Sequence, residues 1–322
     1  MIEETLKVKE APFLKAIIAF IVVAVLATAP LYMSEYYLSV IRTILLWLGL
    51  SVSWYFFSGL TKYISLGSAA FFGLGIYFTA KYLDLSHKGL LPALPLPVII
   101  FIGAVICFAL ASAIGLVTLR VKGIYFAILT FGVSEMIKNV FEWWEIRIVG
   151  TRGTYLPVFV DYVSFYYMIF ASTMIALGTA ILLGRTKFGL ALRMIGENED
   201  TAIHVGVNST TLKTLGFALS SMLIGLIGGC FAMRFAYVNV DMAFDPLYSF
   251  MPAAMTLLGG AVNIYGPMIG AVILSLIGEY LRVSYPQYFL VILGLVFIAI
   301  ILFMPNGIMG KIREFRFRMV VK

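Results

Sequence analysis

Hydrophobic positions in this chain neither alternate nor keep to one helical face; they run on. Six stretches, Phe13–Leu31, Leu38–Ser58, Leu96–Leu119, Phe165–Gly184, Leu215–Ala236 and Tyr288–Met304, are apolar all round, with few or no charges near their centres. A helix of that kind belongs in apolar surroundings, and about 20 such residues cross a hydrocarbon core about 30 Å thick. Each run therefore predicts a membrane helix. The first is too long for a signal peptide and lacks a small-residue cleavage site before the next run. Leu66–Tyr82, Gly123–Val140, Phe250–Val262 and Pro267–Leu281 are apolar but less regular, and predict shorter or Gly-interrupted helices. The expected fold is all-α integral membrane, a polytopic helical bundle of about 8–10 spans. The longest polar stretch, roughly 141–164, is far below domain size, so residues 1–322 read as one transmembrane domain.

Composition agrees: 62% hydrophobic and 12% charged residues, with a mean hydropathy of +1.02, exclude an ordinary soluble surface. The net charge of +7 is explained by orientation and by contact with anionic membrane lipid, so no nucleic-acid partner is implied. Basic loops stay on the cytoplasmic side. With the N-terminus inside, and residues 250–281 treated as two short helices that enter and return to the same side, most of the 23 Lys and Arg residues fall inside, including the basic tail 311–322. A single crossing there would put that tail outside. Cys107 and Cys230 sit in apolar runs without metal-ligating neighbours, and read as small buried hydrophobes. His87 and His204 lie in loop segments with no triad or metal constellation around them.

Against this background "GENEDTAIHVGVN", residues 196–208, is a polar island on the cytoplasmic side, within the segment of about 185–212. Asn198 is a good N-cap, Glu199 and Asp200 fall in the first turn where the helix dipole favours anions, and His204 falls in the last. Gly206 suits the left-handed closing position. The island reads as a short independent helix, which taken alone is also what a solvated connector looks like.

"DTAIHVG" resembles the Glu-Ala-Ala, three residues, Gly pattern of the cytoplasmic loop in ABC importer permeases, with Asp200, Thr201, Ala202 and Gly206 at the matching positions and Asp and Thr as departures. Further stretches resemble the M-type permease of branched-chain amino-acid ABC importers, the LivM family. They are "ISLGSAAFFGLGIYFTA" (64–80), "RVKGIYFAILTFGVSEMI" (120–137), "LGFALSSMLIGLIGG" (215–229), "LLGGAVNIYGPMIGA" (257–271) and "MPNGIMG" (304–310), in the right order over roughly 41–310. The resemblance implies a multi-pass subunit of a prokaryotic inner membrane, with both termini cytoplasmic. It would pair with a homologous H-type permease, two ATP-binding cassette subunits and an extracytoplasmic substrate-binding protein. The partner ATPases would bind ATP and Mg, and this chain none. The island, Asn198, Glu199, Asp200, Thr201, Ala202, His204 and Gly206, would be the coupling helix that fits a groove in an ATPase, in a cycle of alternating access. One motif departs: where such permeases commonly carry a Thr-Gly-Gly, this chain reads "IVGTRGTYLP", with Arg152 inserted.

The residues agree with that division of labour, since no Gly-x-x-x-x-Gly-Lys-Ser/Thr phosphate loop occurs. The chain is expected to be a transport subunit, not an enzyme. The two Gly-interrupted segments, 66–82 and 250–281, stand at similar depth in the two halves and suggest an inverted repeat with the pathway beside them. An aliphatic substrate needs an aromatic-lined passage with few polar groups. Phe71, Phe72 and Tyr77, Tyr125, Phe126 and Thr130, and Asn263 are the candidates, although small and aromatic residues in spans also simply pack helices, as the Ser221, Gly225, Gly229 stripe is expected to do. Glu135 with Lys138 and Glu279 with Arg282 are spaced as ion pairs near outer helix ends, where Arg42 and Arg234 read as interface anchors. The alternative to an ABC permease is an ion-coupled secondary transporter of small solutes. It requires a midplane carboxylate, and both glutamates are peripheral.

Overall fold

The structure, a computed structural model, describes residues 17, 20–156, 160–303 and 307–311. The N-terminal lysines, residues 304–306 of "MPNGIMG" and all of the basic tail beyond Lys311 lie outside the described residues. The helices are α1 (Phe20–Leu31), α2 (Glu35–Trp54, carried on by a π turn Tyr55–Gly59), α3 (Ser68–His87), α4 (Leu96–Thr118) and α5 (Ile124–Trp144, prolonged by Glu145–Val149). They continue as α6 (Tyr162–Gly184), α7 (Lys187–Glu197), α8 (Glu199–His204), α9 (Ser209–Phe231) and α10 (Val240–Ala243). Last come α11 (Leu247–Gly259), α12 (Tyr265–Ser284), α13 (Phe289–Phe303) and a final helical turn at 307–311. Two short strands, β1 (Thr154–Tyr155) and β2 (Tyr237–Val238), pair antiparallel, Thr154 opposite Val238, and tie together two loops at one end.

Among the described residues six helices are long and apolar enough to cross a membrane, on α2, α4, α5, α6, α9 and α12. The remaining expected spans are helical as well, but α1 and α13 are shorter apolar pieces, and α11, at 13 residues, reaches only about 20 Å. In 250–281 the first helix is short, as expected, and the second is full length; a turn at 260–264 folds α12 back against α11.

The most buried helices are α2 and α9, and α9 packs against α3, α4, α2 and α6. Small residues make this possible. A Cβ on Gly75 of α3 would overlap the carbonyl oxygen of Gly225 on α9, so the two backbones touch, and the Ser221, Gly225, Gly229 stripe does pack helices. The 61–67 segment joins α2 to α3, and its residues 62–67 are non-helical. Side chains supply hydrogen bonds there: Trp54 Nε1 donates to the Ser65 carbonyl (2.7 Å), the Ser65 amide donates to Ser58 Oγ (3.2 Å), and the Leu66 amide donates to Thr130 Oγ1 (3.0 Å). This is how a non-helical segment survives inside the bundle.

The expected Glu135–Lys138 and Glu279–Arg282 ion pairs do not form. Lys138 reaches across to Asp241 on α10 at 2.9 Å, because packing offers a carboxylate from another element; Arg282 instead lies over the Phe289 ring, its Cζ 5.2 Å from the centroid. Arg152, which stands between Thr151 and Gly153 where a Thr-Gly-Gly motif is expected, accepts at its carbonyl from Tyr237 Oη (2.6 Å), and its guanidinium lies 3.7 Å from Glu142.

Candidate coupling site and pathway

Local chemistry shapes the island first. Asn198 Oδ1 accepts from the Thr201 amide (3.0 Å), capping α8 at its start. At its end the Gly206 amide donates to the Ile203 carbonyl (2.9 Å) and the Val207 amide to the Ala202 carbonyl (3.0 Å), with Gly206 at φ 90°, the Schellman arrangement. Asn208 then caps α9 through the Thr211 amide (3.2 Å). Two chain reversals within eleven residues are thus fixed by side chains and one glycine.

Tertiary contacts then divide α8 into two faces. Inward, Ala202 is buried and Glu199 turns away from solvent. Its carboxylate accepts from Lys213 Nζ (2.6 Å), from Tyr63 Oη (2.5 Å) and from Ser209 Oγ. Lys213 Nζ also donates to Tyr63 Oη (3.1 Å) and to the Leu119 carbonyl (3.3 Å), so one network joins α8 to α9, the 61–67 segment and the end of α4. Lys62, in the left-handed region at φ 59°, turns the chain just before Tyr63. Burial disfavours the Glu199 carboxylate, but the hydrogen bonds from Lys213, Ser209 and Tyr63 outweigh it and hold its pKa down to about 2. Burial and the bond to Glu199 push the Tyr63 phenol the other way, well above its ordinary value. Lys122 approaches Glu199 and Asp200 at 3.7 and 3.6 Å from solvent and adds little. Outward, Asp200, Thr201, Ile203, His204 and Val205 are exposed.

The sequence placed Glu199 at the dipole end of α8; its partners Lys213 and Tyr63 were not foreseen. Tyr63 is 136 positions away, and no local spacing marks such a contact.

The pathway candidates separate. Phe71 and Phe126 meet around Phe217, with centroids 5.6 and 6.2 Å from it, and Thr130 lines a void of about 10 Å³ beside Phe71 and Phe217. Phe72 lies under Tyr248 (4.1 Å), and Tyr77 packs on Phe141 (5.2 Å) and Phe244 (6.2 Å). Tyr125 stands outward on α5, and Asn263 Oδ1 accepts from the Tyr265 and Gly266 amides at the α11–α12 turn. Phe71, Phe72, Tyr77, Phe126 and Thr130 are thus all buried around α3, while Tyr125 and Asn263 are not part of that group. Among the described residues no cluster of three or more His, Cys, Asp or Glu could hold a metal ion.

A bundle with tight glycine crossings, in which six of the described helices are long and apolar enough to cross a membrane, defines a multi-pass membrane protein. The profile of the family described as branched-chain amino acid transport system / permease component matches residues 36–301, and the chain belongs to that family. It is therefore the permease component of such an ABC system, whose ATPase is a separate subunit and which also includes a partner permease and a binding protein. The chain is 29% identical over 253 residues to a "Probable branched-chain amino acid transport permease protein LivH" of Methanocaldococcus jannaschii, covering 69% of this chain and 76% of that one. It is 24% identical over 302 residues to the high-affinity branched-chain amino acid transport system permease protein LivM of Salmonella typhimurium, covering 84% and 68%. An autoinducer 2 import system permease protein LsrC of Yersinia pestis is 27% identical over 112 residues, covering 34% and 32%. No solved structure matches.

Proposed function

We propose that this chain is the M-type permease of a branched-chain amino-acid importer, and that α8 is its coupling helix. The observation that carries the reading is the two-faced build of α8: capped at both ends, riveted inward by Glu199 and Ala202, and presenting Asp200, Thr201, Ile203, His204 and Val205 outward. A helix built that way passes a push on its outer face to α9 and to the 61–67 segment without deforming. The M-type assignment is supported by the longer span of similarity to LivM, 84% of this chain against 69% for LivH.

In this reading two ATP-binding cassette subunits hold ATP and Mg, and one of them seats α8 in a groove. An H-type permease stands beside this chain, and a binding protein delivers substrate from the other side. Both termini are cytoplasmic, and residues 1–322 form a single permease domain. Closure of the cassettes moves α8; α9 and the 61–67 segment follow, and the aromatic cluster of Phe57, Phe71, Phe126 and Phe217 loosens to let an aliphatic side chain pass. The approach of the two Gly-interrupted segments, where the Ala69 amide donates to Ser249 Oγ (2.9 Å) and the Phe72 ring packs at a tilt against Tyr248, supports a pathway along α3.

The test is co-purification from the native membrane in mild detergent, repeated with Asp200→Arg, together with ATP-driven leucine uptake by the reconstituted assembly. A second permease and ATPases in the wild type, with the ATPases lost in the variant, is the expected result. Recovery of this chain alone, transporting under an ion gradient, overturns the reading in favour of a secondary transporter.

A further inference from the structure

The end of the bundle opposite α8 holds a feature that the coupling argument does not use. From Ser209, beside α8, to Arg234 the α9 segment runs for 26 residues, about 39 Å, so Arg234 lies at the far end. Arg42 near the start of α2 and Arg282 near the end of α12 join it around one cavity of about 70 Å³. Trp47, Phe165 and Tyr248 are among its walls.

None of the three guanidinium groups there has a direct ion pair among the described residues, although Glu35 at the start of α2 acts on Arg42 through space. Arg42 is only 6% exposed, its guanidinium lies 5.3 Å from the rings of both Tyr162 and Phe165, and its Nε has no hydrogen-bond partner. Among the described residues no carboxylate comes within 4 Å of Arg42, Arg234 or Arg282. Glu279, one turn from Arg282, makes no pair with it, and Asp245 accepts from the Leu247 amide. A buried, unpaired guanidinium is costly, and a planar anion that accepts from its fork removes the cost. Arginines that only snorkel to lipid phosphate keep their heads exposed; Arg42 is enclosed by α2, α6 and aromatic rings. Tyr248 in the cavity wall also packs on Phe72 of α3, centroids 4.1 Å apart.

We propose that this cavity is a carboxylate-recognition site at the outer mouth of the pathway, in which Arg42, with Arg234 and Arg282 at the rim, holds the carboxylate of the incoming amino acid. The aliphatic side chain lies against Trp47, Phe165 and Tyr248, above Phe72. This rests on the amino-acid reading above and narrows it: an anionic carboxylate is required, and neutral amides and urea are refused because they leave the three guanidinium groups uncompensated.

Trp47 in the wall provides a direct readout. The complete assembly, in nanodiscs of zwitterionic lipid, is titrated with isovalerate and with isovaleramide while tryptophan fluorescence is followed; Trp47→Phe identifies the signal. Expected are a saturable change with isovalerate, at least tenfold weaker binding of isovaleramide, at least tenfold weaker isovalerate binding in Arg42→Gln, and a smaller loss in the exposed-rim variant Arg282→Gln, which stands in if Arg42→Gln does not assemble. Equal responses to acid and amide, or no response to either, overturn the proposal. So does a response only to added phosphatidylglycerol that isovalerate cannot displace, which marks a lipid-headgroup site. ATP-driven leucine uptake separates the two failures. Uptake without carboxylate discrimination removes this site and leaves the transport reading intact; discrimination without uptake does the reverse.

Discussion

Replacing Glu199 with Gln tests whether α8 is riveted to the membrane helices by charge. Lys213 is 4% exposed at its side chain, and Glu199 is the one carboxylate within ion-pair distance of it among the described residues. Deleting one member of a buried pair costs about 3–5 kcal/mol. Gln keeps the shape and its one oxygen still accepts from Lys213, while its amide nitrogen replaces the oxygen that accepted from Tyr63; the Leu119 carbonyl remains 3.3 Å from Nζ, so part of the loss is recovered. The expected cost to the docked state of α8 is about 2–3 kcal/mol, roughly a 30- to 150-fold shift in the docked-to-undocked ratio. Hydrogen–deuterium exchange across residues 196–208 in the reconstituted assembly reads that shift as faster opening, and ATP hydrolysed per leucine imported rises. Lys213→Met removes the stranded cation, so in the double variant the two losses are less than additive by about 2 kcal/mol. Protection and stoichiometry unchanged in Glu199→Gln, or additivity within about 0.5 kcal/mol, refute the argument.

Acid should act at the same point. The Glu199 carboxylate has a folded pKa of about 2 against an ordinary 4.5, a depressed value, so its contribution is complete above about pH 4.5 and is lost as pH falls toward 2; the protection factor at 196–208, which is exchange corrected for the intrinsic rate at each pH, is expected to be flat from pH 7 to 5 and to fall below pH 4.5. Asp200→Arg alters a side chain that is 80% exposed, so insertion and thermal stability stay within about 0.5 kcal/mol of wild type while ATPase recovery falls at least several-fold in pull-downs. Gly206→Ala forces a Cβ into the left-handed region, costing about 1 kcal/mol, and exchange at the C-terminal end of α8 rises with no loss of insertion. Gly75→Leu drives a side chain into the backbone of α9, and detergent-solubilised protein should melt several degrees lower or fail to accumulate.

What was legible in the chain was what composition and neighbours decide. The spans follow from hydrophobicity, and both ends of α8 follow from Asn198 and Gly206, whose partners are at most five residues away. The fate of Glu199 was not legible, because an acidic residue in a first turn already has a sufficient local explanation and its actual partners come from α9 and the 61–67 segment. Arg42, Arg234 and Arg282 each looked like an ordinary helix-end cation. Only the packing of α2, α9 and α12 brings them to one cavity. Lys138 chose Asp241 over Glu135 for the same reason: spacing along one helix states which pairs are reachable, and neighbouring helices state which are better.

The Glu199 network also sets an order of events during synthesis. Tyr63 emerges early and α8 much later, but Lys213 belongs to the helix that follows α8, so until α9 is in place Glu199 has only the exposed Lys122 as a counter-charge and lacks its buried partner. Until then α8 has its own caps but lacks the Lys213 bond that pins it inward. In the reading proposed above, in which an ATPase seats the outer face of α8, the motor would meet a firmly held helix only once α9 is in place, so its recruitment would wait for the transmembrane core to be finished.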